Sequence, residues 1–328
     1  MKKLYPAKLK SGDEVRIIAP SRSMGIISRD SRGIADKRFS KLGLKLSFGQ
    51  HVDEIDDFTS SSVDSRIADL HTAFGDQKVK AVLTVIGGFN SNQLLKFIDW
   101  ELIRANPKIF CGFSDITALN NSIFSKTGLV TYSGPHYSTF GQKLYFDYTL
   151  DYFIKCLMSD TPFDIKPSDS WSDDLWFRNQ DDRKLIPNPG WQVIRDGEAA
   201  GTILGANLCT FNLLQGTEYF PDLSDSILFI EDDGSSNPLL FDRDLQSLVH
   251  QPGFSGVKGL VIGRFQTGSD MAQDKLAQIL KTKKELNDLP IVTGVDFGHS
   301  DLKITFPIGG EVKIELTRSS NTIQIIKH

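Results

Sequence analysis

Short apolar runs alternate with amphipathic stretches through the first half of the chain. Three of the runs predict buried strands, at residues 15–20 (VRIIAP), 80–86 (KAVLTVI) and 108–112 (KIFCG). Between the first two, Ile67, Leu70 and Phe74 recur at helical spacing, which predicts a helix over residues 62–74 with Ser62 or Asp64 as its cap. Strands and helices in alternation imply a parallel sheet with helices on both faces.

Two more helices are predicted directly after the second and third strands. Leu94, Leu95 and Ile98 form the apolar stripe of one, and residues 115–126 form the other, which Gly128 would end. In a parallel sheet both strand-to-helix junctions open at the same carboxyl edge, where ligands bind. Polar residues at these junctions are therefore candidates for chemistry.

The second half of the chain has a different texture. Apolar runs at 226–230 (SILFI) and 257–262 (VKGLVI) predict strands, and residues 271–286 predict a helix. The tail alternates apolar and polar positions on both sides of a Ser-Ser-Asn sequence at 319–321. That alternation predicts a terminal β-hairpin.

The segment between the two halves is rich in proline and aromatic residues. Residues 159–191 hold four prolines and three of the four tryptophans. A simple linker would not normally carry so many large aromatics, so we expect an ordered segment that covers something. We predict an α/β domain at 1–165, a connecting and substrate-covering loop at 166–190, and a smaller domain at 191–328.

Composition and charge restrict the classes of partner. The 328 residues carry a formal net charge of −4, which argues against a nucleic-acid backbone or an anionic membrane as partner. The opening residues lack the apolar run of a signal peptide, and no segment has 18 uninterrupted apolar residues. Three scattered cysteines fit reduced thiols. We expect a cytoplasmic protein that acts on a small molecule.

The segment at 108–117 (KIFCGFSDIT) places a serine between a strand and a helix, two residues after Gly112. A sharp turn there would project Ser114 Oγ outward, and the helix start offers backbone N–H groups to a developing oxyanion. The second glycine of the usual nucleophile elbow is absent, because Ile116 occupies its position. Ser114 is either a nucleophile or a cap of the helix.

The other junction, GGFNSN at 87–92, has two glycines that let a backbone N–H approach a reacting carbonyl. It can equally be a simple turn followed by an Asn or Ser cap.

A serine nucleophile needs a base and an acid that orients the base. Of the six histidines, His136 (SGPHYS) and His299 (DFGHSD) lie in glycine-flanked loops that can face a cleft. Glu231 and Asp232 follow the strand at 226–230, where a sheet delivers side chains to its edge. Spacing alone leaves both choices open. The sequence has no HExxH, CxxC or GxxxxGK[ST] motif, so we expect no metal and no cofactor.

Five segments occur in an order typical of a known family: GGFNSNQLL, PKIFCGFSDITAL, GANL, SILFIED and DFGHSD. Together they resemble the L,D-carboxypeptidase family of serine peptidases, over nearly the whole chain. The resemblance implies a doubly wound parallel-sheet domain (class I glutamine amidotransferase-like) and a smaller C-terminal β-rich α/β domain. It also implies Ser114 as nucleophile, Glu231 as triad acid and His299 as base, with backbone N–H groups of Gly88 and Asp115 as oxyanion hole.

Two branches of this family differ in substrate. One trims terminal D-alanine from muropeptides, and the other resembles microcin C immunity peptidases, which cut the amide between an aminoacyl or peptidyl group and a nucleotide. GGFNSNQLL, NPKIFCGFSDITAL and the tract at 170–191 resemble the second branch more closely. That resemblance implies Trp171 or Trp176 as a stacking face for a nucleobase. Alternatively, the tryptophans pack the domain junction.

The resemblance further implies Asn207 as a substrate ligand and a homodimer as the assembly. After Glu231 the chain departs from the family pattern, because DDGSSN places Ser and Asn where ligand-defining groups are expected. The choice between the two substrates therefore stays open.

Two functions of other classes remain. A protein that kept this fold and lost the chemistry would bind a peptide or nucleotide in the same cleft, but it would not need three triad residues. Amidotransferase chemistry would need a cysteine nucleophile, and Cys111 lies on the predicted strand rather than the turn.

Overall fold

The computed structural model describes residues 2–317 and 321–328. Its helices are α1 Arg29–Lys41, α2 Val63–Gly75, α3 Trp100–Ala105, α4 Thr117–Thr127, α5 Asp147–Leu157, α6 Leu208–Asn212, α7 Pro238–Val249 and α8 Gln273–Lys281. Its strands are β1 Glu14–Ile18, β2 Lys45–Phe48, β3 Val79–Thr84, β4 Ile109–Cys111, β5 Thr131–Ser133, β6 Phe163–Ile165, β7 Ser170–Trp171, β8 Ile186–Pro187, β9 Gln192–Arg195, β10 Gly197–Asn207, β11 Ser226–Glu231, β12 Val257–Gly263, β13 Ile291–Val295, β14 Phe306–Ile308, β15 Glu311–Leu316 and β16 Asn321–Lys327.

Within the described residues, the first sheet has the strand order β14-β5-β4-β3-β1-β2. Strands β1 to β5 are parallel, and β14 joins the edge antiparallel to β5. The order 2-1-3-4-5 reverses direction at β1, which is the doubly wound arrangement, so the predicted fold class is confirmed. The carboxyl ends of β1 and β3 flank that reversal, where such sheets bind their ligands.

The second sheet has the order β6-β16-β15-β10-β11-β12-β13-β9. Strands β10 to β13 are parallel, and each outer strand pairs antiparallel with its neighbour in the sheet. The parallel core of this sheet is nearly all apolar, and every residue of β11 is buried. This is the β-rich C-terminal part that the sequence predicts.

Each sheet takes one strand from the other half of the chain. Strand β6 precedes residue 166 but pairs with β16, and β14 pairs with β5 although it lies near the C-terminus. The domain boundaries predicted at residues 165 and 190 stay predictions. The two exchanged strands tie the halves together.

The predicted local signals are found at several element ends. Ser62 Oγ accepts a hydrogen bond from Ser65 N at 3.0 Å and caps α2, while Gly128 ends α4 in the left-handed conformation with φ 78°. The stripe after Gly88 forms a 3₁₀ helix, Ser91–Phe97, rather than an α-helix. The Asn90 side chain makes no capping hydrogen bond to this helix. The Ser91 N–H instead donates to the carboxylate of Asp115, in another loop.

The predicted helix over 271–286 is shorter than expected, since α8 ends at Lys281 and a separate 3₁₀ turn covers Lys284–Leu286. The terminal hairpin forms from β15 and β16. Of its predicted Ser-Ser-Asn turn, residues 319 and 320 lie outside the described residues. No helix in 2–317 or 321–328 combines the length and apolarity that a membrane crossing needs.

Candidate active site

Ser114 lies at the turn between β4 and α4. Its φ is 61°, in the left-handed region that residues with a Cβ rarely adopt. The turn continues as a 3₁₀ segment, Ser114–Ile116, directly into α4. Gly87 packs against it so closely that a Cβ there would lie 2.9 Å from Ser114 Cβ. The turn thus fixes the serine hydroxyl at the carboxyl edge of the first sheet.

Ser114, His299 and Glu231 form one hydrogen-bonded chain. His299 Nε2 lies 2.9 Å from Ser114 Oγ, and His299 Nδ1 lies 2.8 Å from Glu231 Oε2. The serine comes from the first sheet, the glutamate ends β11 of the second, and the histidine lies in the loop between β13 and β14. The structure therefore brings together the three residues that the family resemblance implies.

The contact between the acid and the histidine loop depends on a glycine. Gly298 has φ 98°, and a Cβ at this position would lie 2.3 Å from Glu231 Oε2. Only glycine combines that backbone conformation with such a close approach. The glycine before the histidine in DFGHSD is thereby explained by the position of the carboxylate.

The glutamate also sets the protonation of the histidine. Burial lowers the pKa of His299, but the charge of Glu231, its hydrogen bond to the ring and the weaker effect of the Asp233 charge together outweigh burial. The net pKa of His299 lies above its ordinary value of 6.5. An imidazole with a raised pKa is a stronger base toward a serine hydroxyl.

The alternative residues have other hydrogen-bond partners. His136 Nδ1 contacts Thr84 Oγ1 at 2.8 Å, and burial holds the pKa of His136 well below 6.5. Asp232 is buried behind the site, with Oδ1 accepting from Asn207 Nδ2 at 3.2 Å. Cys111 lies within β4, where burial raises the pKa of its thiol. None of these side chains is in hydrogen-bond contact with Ser114 in the described part of the chain.

Two backbone segments adjoin the Ser114 hydroxyl. A Cβ on Gly87 would lie 3.0 Å from Ser114 Oγ and 3.5 Å from Asp115 N, so the glycine loop and the helix start adjoin the hydroxyl. The predicted pair, Gly88 and Asp115, stand on these two segments. Gly88 itself is packed against Ser21, whose Oγ a Cβ would meet at 2.3 Å.

Ser114 opens into a cavity of about 430 Å³. One wall is formed by the glycine loop and Arg22, and another by His299, Asp301 and Lys303. Residues 173–177 of the predicted covering loop form the roof. We call residues 172–184 the cover.

The three other predicted site residues are placed differently from one another. Trp176, on the cover, lines this cavity, whereas Trp171 lines a neighbouring cavity of about 550 Å³. The Arg264 guanidinium lies 5.2 Å from the centre of the Trp171 ring. Asn207 lies behind Glu231, and its Nδ2 donates to Glu231 Oε1 at 3.3 Å.

Two family models match the chain. The first, described as the LD-carboxypeptidase N-terminal domain, matches residues 15–134, and the second, the LD-carboxypeptidase C-terminal domain, matches residues 200–314. The chain belongs to the LD-carboxypeptidase family. These matches confirm the predicted family resemblance, and the matched ranges contain Ser114, Glu231 and His299.

Relatives in the LD-carboxypeptidase family cover nearly the whole chain. YocD of Bacillus subtilis (strain 168) is 52% identical over 325 residues, which cover 99% of this chain and 100% of YocD. The microcin C7 self-immunity protein MccF of Escherichia coli is 29% identical and covers 98% of this chain, with 95% of MccF matched.

Solved structures of the family superpose closely. An MccF-like protein from Bacillus anthracis str. Ames has a TM-score of 0.98 at 50% identity, covering 99% of this chain and 100% of that one. MccF in complex with glutamyl sulfamoyl guanosine has a TM-score of 0.87 at 28% identity, covering 98% of each chain.

Within this site, one important group was missed by the sequence analysis. The Asp115 carboxylate joins three loops: its Oδ2 accepts from Ser21 Oγ at 2.6 Å, Asn90 N at 3.0 Å and Ser91 N at 2.9 Å. It thereby fixes the glycine loop beside Ser114. The polar run at 87–92 was the available signal, but periodicity does not show which distant carboxylate such a loop contacts.

Proposed function

We propose that this chain is a serine peptidase that hydrolyses the amide-type bond between an aminoacyl or peptidyl group and a nucleotide. The observation that carries the proposal is the hydrogen-bonded chain from Ser114 through His299 to Glu231. It opens into a cavity that Trp176 also lines. A site that only bound its ligand would have no use for a serine activated in this way.

The proposed reaction begins when His299 Nε2 takes the proton of Ser114 Oγ as the oxygen attacks the acyl carbon. The negative charge that forms on the carbonyl oxygen is stabilised by the backbone N–H groups of Gly88 and Asp115. The C–N bond then breaks, and the leaving nitrogen receives the proton from His299. Water, deprotonated by His299, next attacks the acyl-enzyme and releases the acid and Ser114.

Glu231 has two roles in this scheme. Its Oε2 accepts the Nδ1 proton of His299, which leaves Nε2 free to act as the base. Its charge also stabilises the imidazolium that forms in the transition state. No step in the scheme needs a metal or a cofactor.

The nucleotide part of the substrate is proposed from the relatives and from the cover. MccF has been solved with glutamyl sulfamoyl guanosine and with aspartyl sulfamoyl adenosine, both aminoacyl groups joined to a nucleoside. Trp176 lies in the cavity of this chain and is proposed to stack on the base, a contact that contributes about 1–3 kcal/mol in other proteins. Trp171, as a second stacking face, and Asn207, as a substrate ligand, stay predictions.

The test is a mass-spectrometric cleavage assay on two substrates, aspartyl sulfamoyl adenosine and a muropeptide tetrapeptide that ends in D-alanine. We expect release of aspartate from the first and little D-alanine from the second. Trp176→Ala should raise KM for the nucleoside substrate by roughly tenfold. Trp191→Ala, outside the cavity lining, serves as the matched control.

Release of D-alanine alone would contradict the proposed substrate and make the chain a muropeptide carboxypeptidase. The same preparation, run on a calibrated gel-filtration column, tests the predicted homodimer. The predicted cytoplasmic location can be tested by cell fractionation.

A further inference from the structure

The cover contains a charged side chain that is fully buried. Arg183 has no exposed side-chain surface, and its Nε donates to Asp174 Oδ1 at 2.6 Å within the cover. The other two guanidinium nitrogens contact residues outside the cover. Nη2 lies 3.4 Å from Asp301 Oδ2, and Nη1 lies 3.3 Å from Gln142 Oε1. One rigid fork of donors thus binds the cover to two separate segments.

The partner of that fork belongs to the loop that carries the histidine. Asp301 is two residues after His299 and is nearly buried, with 6% of its surface exposed. Its backbone pairs with the first residue of the cover, since Asp301 N donates to Ser172 O at 2.7 Å and Ser172 N donates back to Asp301 O. Its other carboxylate oxygen accepts from Lys303 Nζ, another residue of the cavity wall.

The rest of the cover is held nearer the surface by hydrogen bonds and by an ion pair between the exposed Lys143 Nζ and Asp181. Lys143 N also donates to Gln180 Oε1 at 2.9 Å. Gln180 Nε2 donates to Gly141 O at 2.8 Å, and Thr267 N donates to Asp173 Oδ2 at 2.6 Å. The roof between these points is half open to solvent, because 49% of Leu175 and 61% of Phe177 is exposed. Apolar packing therefore contributes little, and the buried contacts that keep the cover closed are the Arg183–Asp301 ion pair and the backbone pairing of Ser172 with Asp301.

We infer that Arg183 is a positioning residue that, through Asp301, fastens the cover to the histidine loop and holds it over Ser114 before substrate binds. The inference rests on the proposed function, because it assigns the cover a part in binding the substrate of that site. A closed cover presents Trp176 to the cavity in advance, so less binding energy is spent on ordering the loop.

The inference differs from a purely structural role in what it predicts. If Arg183 only stabilised the fold, its loss would lower the melting temperature and slow every reaction of Ser114 alike. If it positions the cover, substrate binding weakens while Ser114, His299 and Glu231 keep their mutual contacts. When the closed fraction falls to about a tenth, the apparent dissociation constant rises about tenfold.

The experiment compares Arg183→Met with Arg178→Met, an exposed arginine on the same cover. Three quantities are measured on the full chain: kcat and KM for aspartyl sulfamoyl adenosine, the rate of Ser114 labelling by a small fluorophosphonate, and the rate of chymotrypsin cleavage within the cover. For Arg183→Met we expect KM and the cleavage rate to rise about tenfold or more, with the labelling rate within about threefold of the unsubstituted chain. Arg178→Met should leave all three nearly unchanged.

A KM and a cleavage rate equal to those of Arg178→Met would overturn the inference. So would a parallel fall in labelling, kcat and melting temperature, since that is the signature of a structural role. Should Arg183→Met fail to fold, Asp301→Asn decides, because it removes the same ion pair and keeps the backbone pairing with Ser172. If the unsubstituted chain is neither labelled nor active, the proposed function fails, and the cleavage rates alone still decide whether Arg183 holds the cover.

Discussion

The ends of β4 and β11 meet in the site. Holding a functional group there costs free energy at both ends, but for different physical reasons. At the end of β4, Ser114 has the left-handed backbone conformation, with φ 61°, so the cost there is steric. At the end of β11, Glu231 and Asp232 are adjacent buried carboxylates, and burial followed by the charge of Glu231 raises the pKa of Asp232 to about 6. The cost there is electrostatic.

The steric cost at Ser114 and the electrostatic cost at Asp232 are removed by different changes. Backbone strain at Ser114 does not depend on solution conditions and is relieved only by removing the Cβ. The electrostatic cost at Asp232 depends on pH and disappears when the carboxyl is protonated. The two ends can therefore be separated by experiment, in activity first and in stability afterwards.

The largest expected effect comes from removing the nucleophile. Ser114→Ala leaves the backbone and the contact between His299 and Glu231 intact but removes the attacking oxygen, so kcat should fall by at least about 10⁴-fold. Steady-state kinetics with aspartyl sulfamoyl adenosine measure the loss, and circular dichroism checks the fold. A variant that retained a tenth of the activity would remove Ser114 from the mechanism.

A smaller loss, with a shift in pH dependence, is expected at the other strand end. Glu231→Gln removes the charge that raises the pKa of His299 and leaves the burial that lowers it, so the pKa of His299 should fall below 6.5. Because the neutral imidazole is the base, activity of the unsubstituted chain should decline as pH falls through a value above 6.5. In Glu231→Gln that decline should move to lower pH, with kcat/KM reduced on the order of 10³-fold.

The pH profile of kcat/KM between about pH 5 and 9 measures this shift. Asp225→Asn is the control, since this acid lies at the opposite end of β11 from Glu231 and its carboxylate is 82% exposed. An acid limb that stays in place in Glu231→Gln would show that Glu231 does not set the protonation of His299.

The cost at Asp232 should be visible as a pH-dependent stability. The folded chain raises the pKa of this carboxyl from 3.8 to about 6, so the folded state favours the protonated form. That stabilisation is present below about pH 4 and is lost as pH rises toward 6, which amounts to about 2–3 kcal/mol. The Asn side chain of Asp232→Asn is neutral at every pH. The free energy of unfolding of this variant, relative to that of the unsubstituted chain, should therefore rise by about 2 kcal/mol between low and neutral pH.

Urea unfolding at about pH 4.5 and 7.5 measures this difference. Asp225→Asn, whose carboxylate is 82% exposed, is the control and should give the same difference at both pH values. If Asp232→Asn also gave a pH-independent difference, the end of β11 would carry no electrostatic cost from Asp232.

Much of both strand ends follows from the sequence, because their signals are local. The apolar runs of β4 and β11, the cap at Ser62 and the stop at Gly128 depend on neighbours in the chain, and the structure contains all of them. The choice between Glu231 and Asp232 did not follow from spacing. Successive side chains of a strand point to opposite faces, and the sequence does not show which face meets the histidine loop.

Contacts between distant segments were the part that local patterns could not predict. The pairing of β6 with β16 and of β14 with β5 crosses the predicted division of the chain. The Asp115 carboxylate joins loops that lie 24 to 94 residues away in sequence. Such contacts depend on how the sheets are placed, and hydrophobic periodicity contains no information about that placement.

The smallest expected effect concerns the steric cost at Ser114. The sign of the stability difference between a glycine and an alanine variant tests that cost. At φ 61°, glycine avoids the Cβ clash that alanine keeps, although glycine also loses more entropy on folding. We expect Ser114→Gly to exceed Ser114→Ala in free energy of unfolding by about 1 kcal/mol.

At Ser125, inside α4, the same comparison should reverse and favour alanine by about 1 kcal/mol. Urea unfolding of the four variants measures both differences. If alanine were the more stable residue at both positions, the left-handed turn at Ser114 would carry no strain, and the cost of the site would lie in the carboxylates at the end of β11 alone.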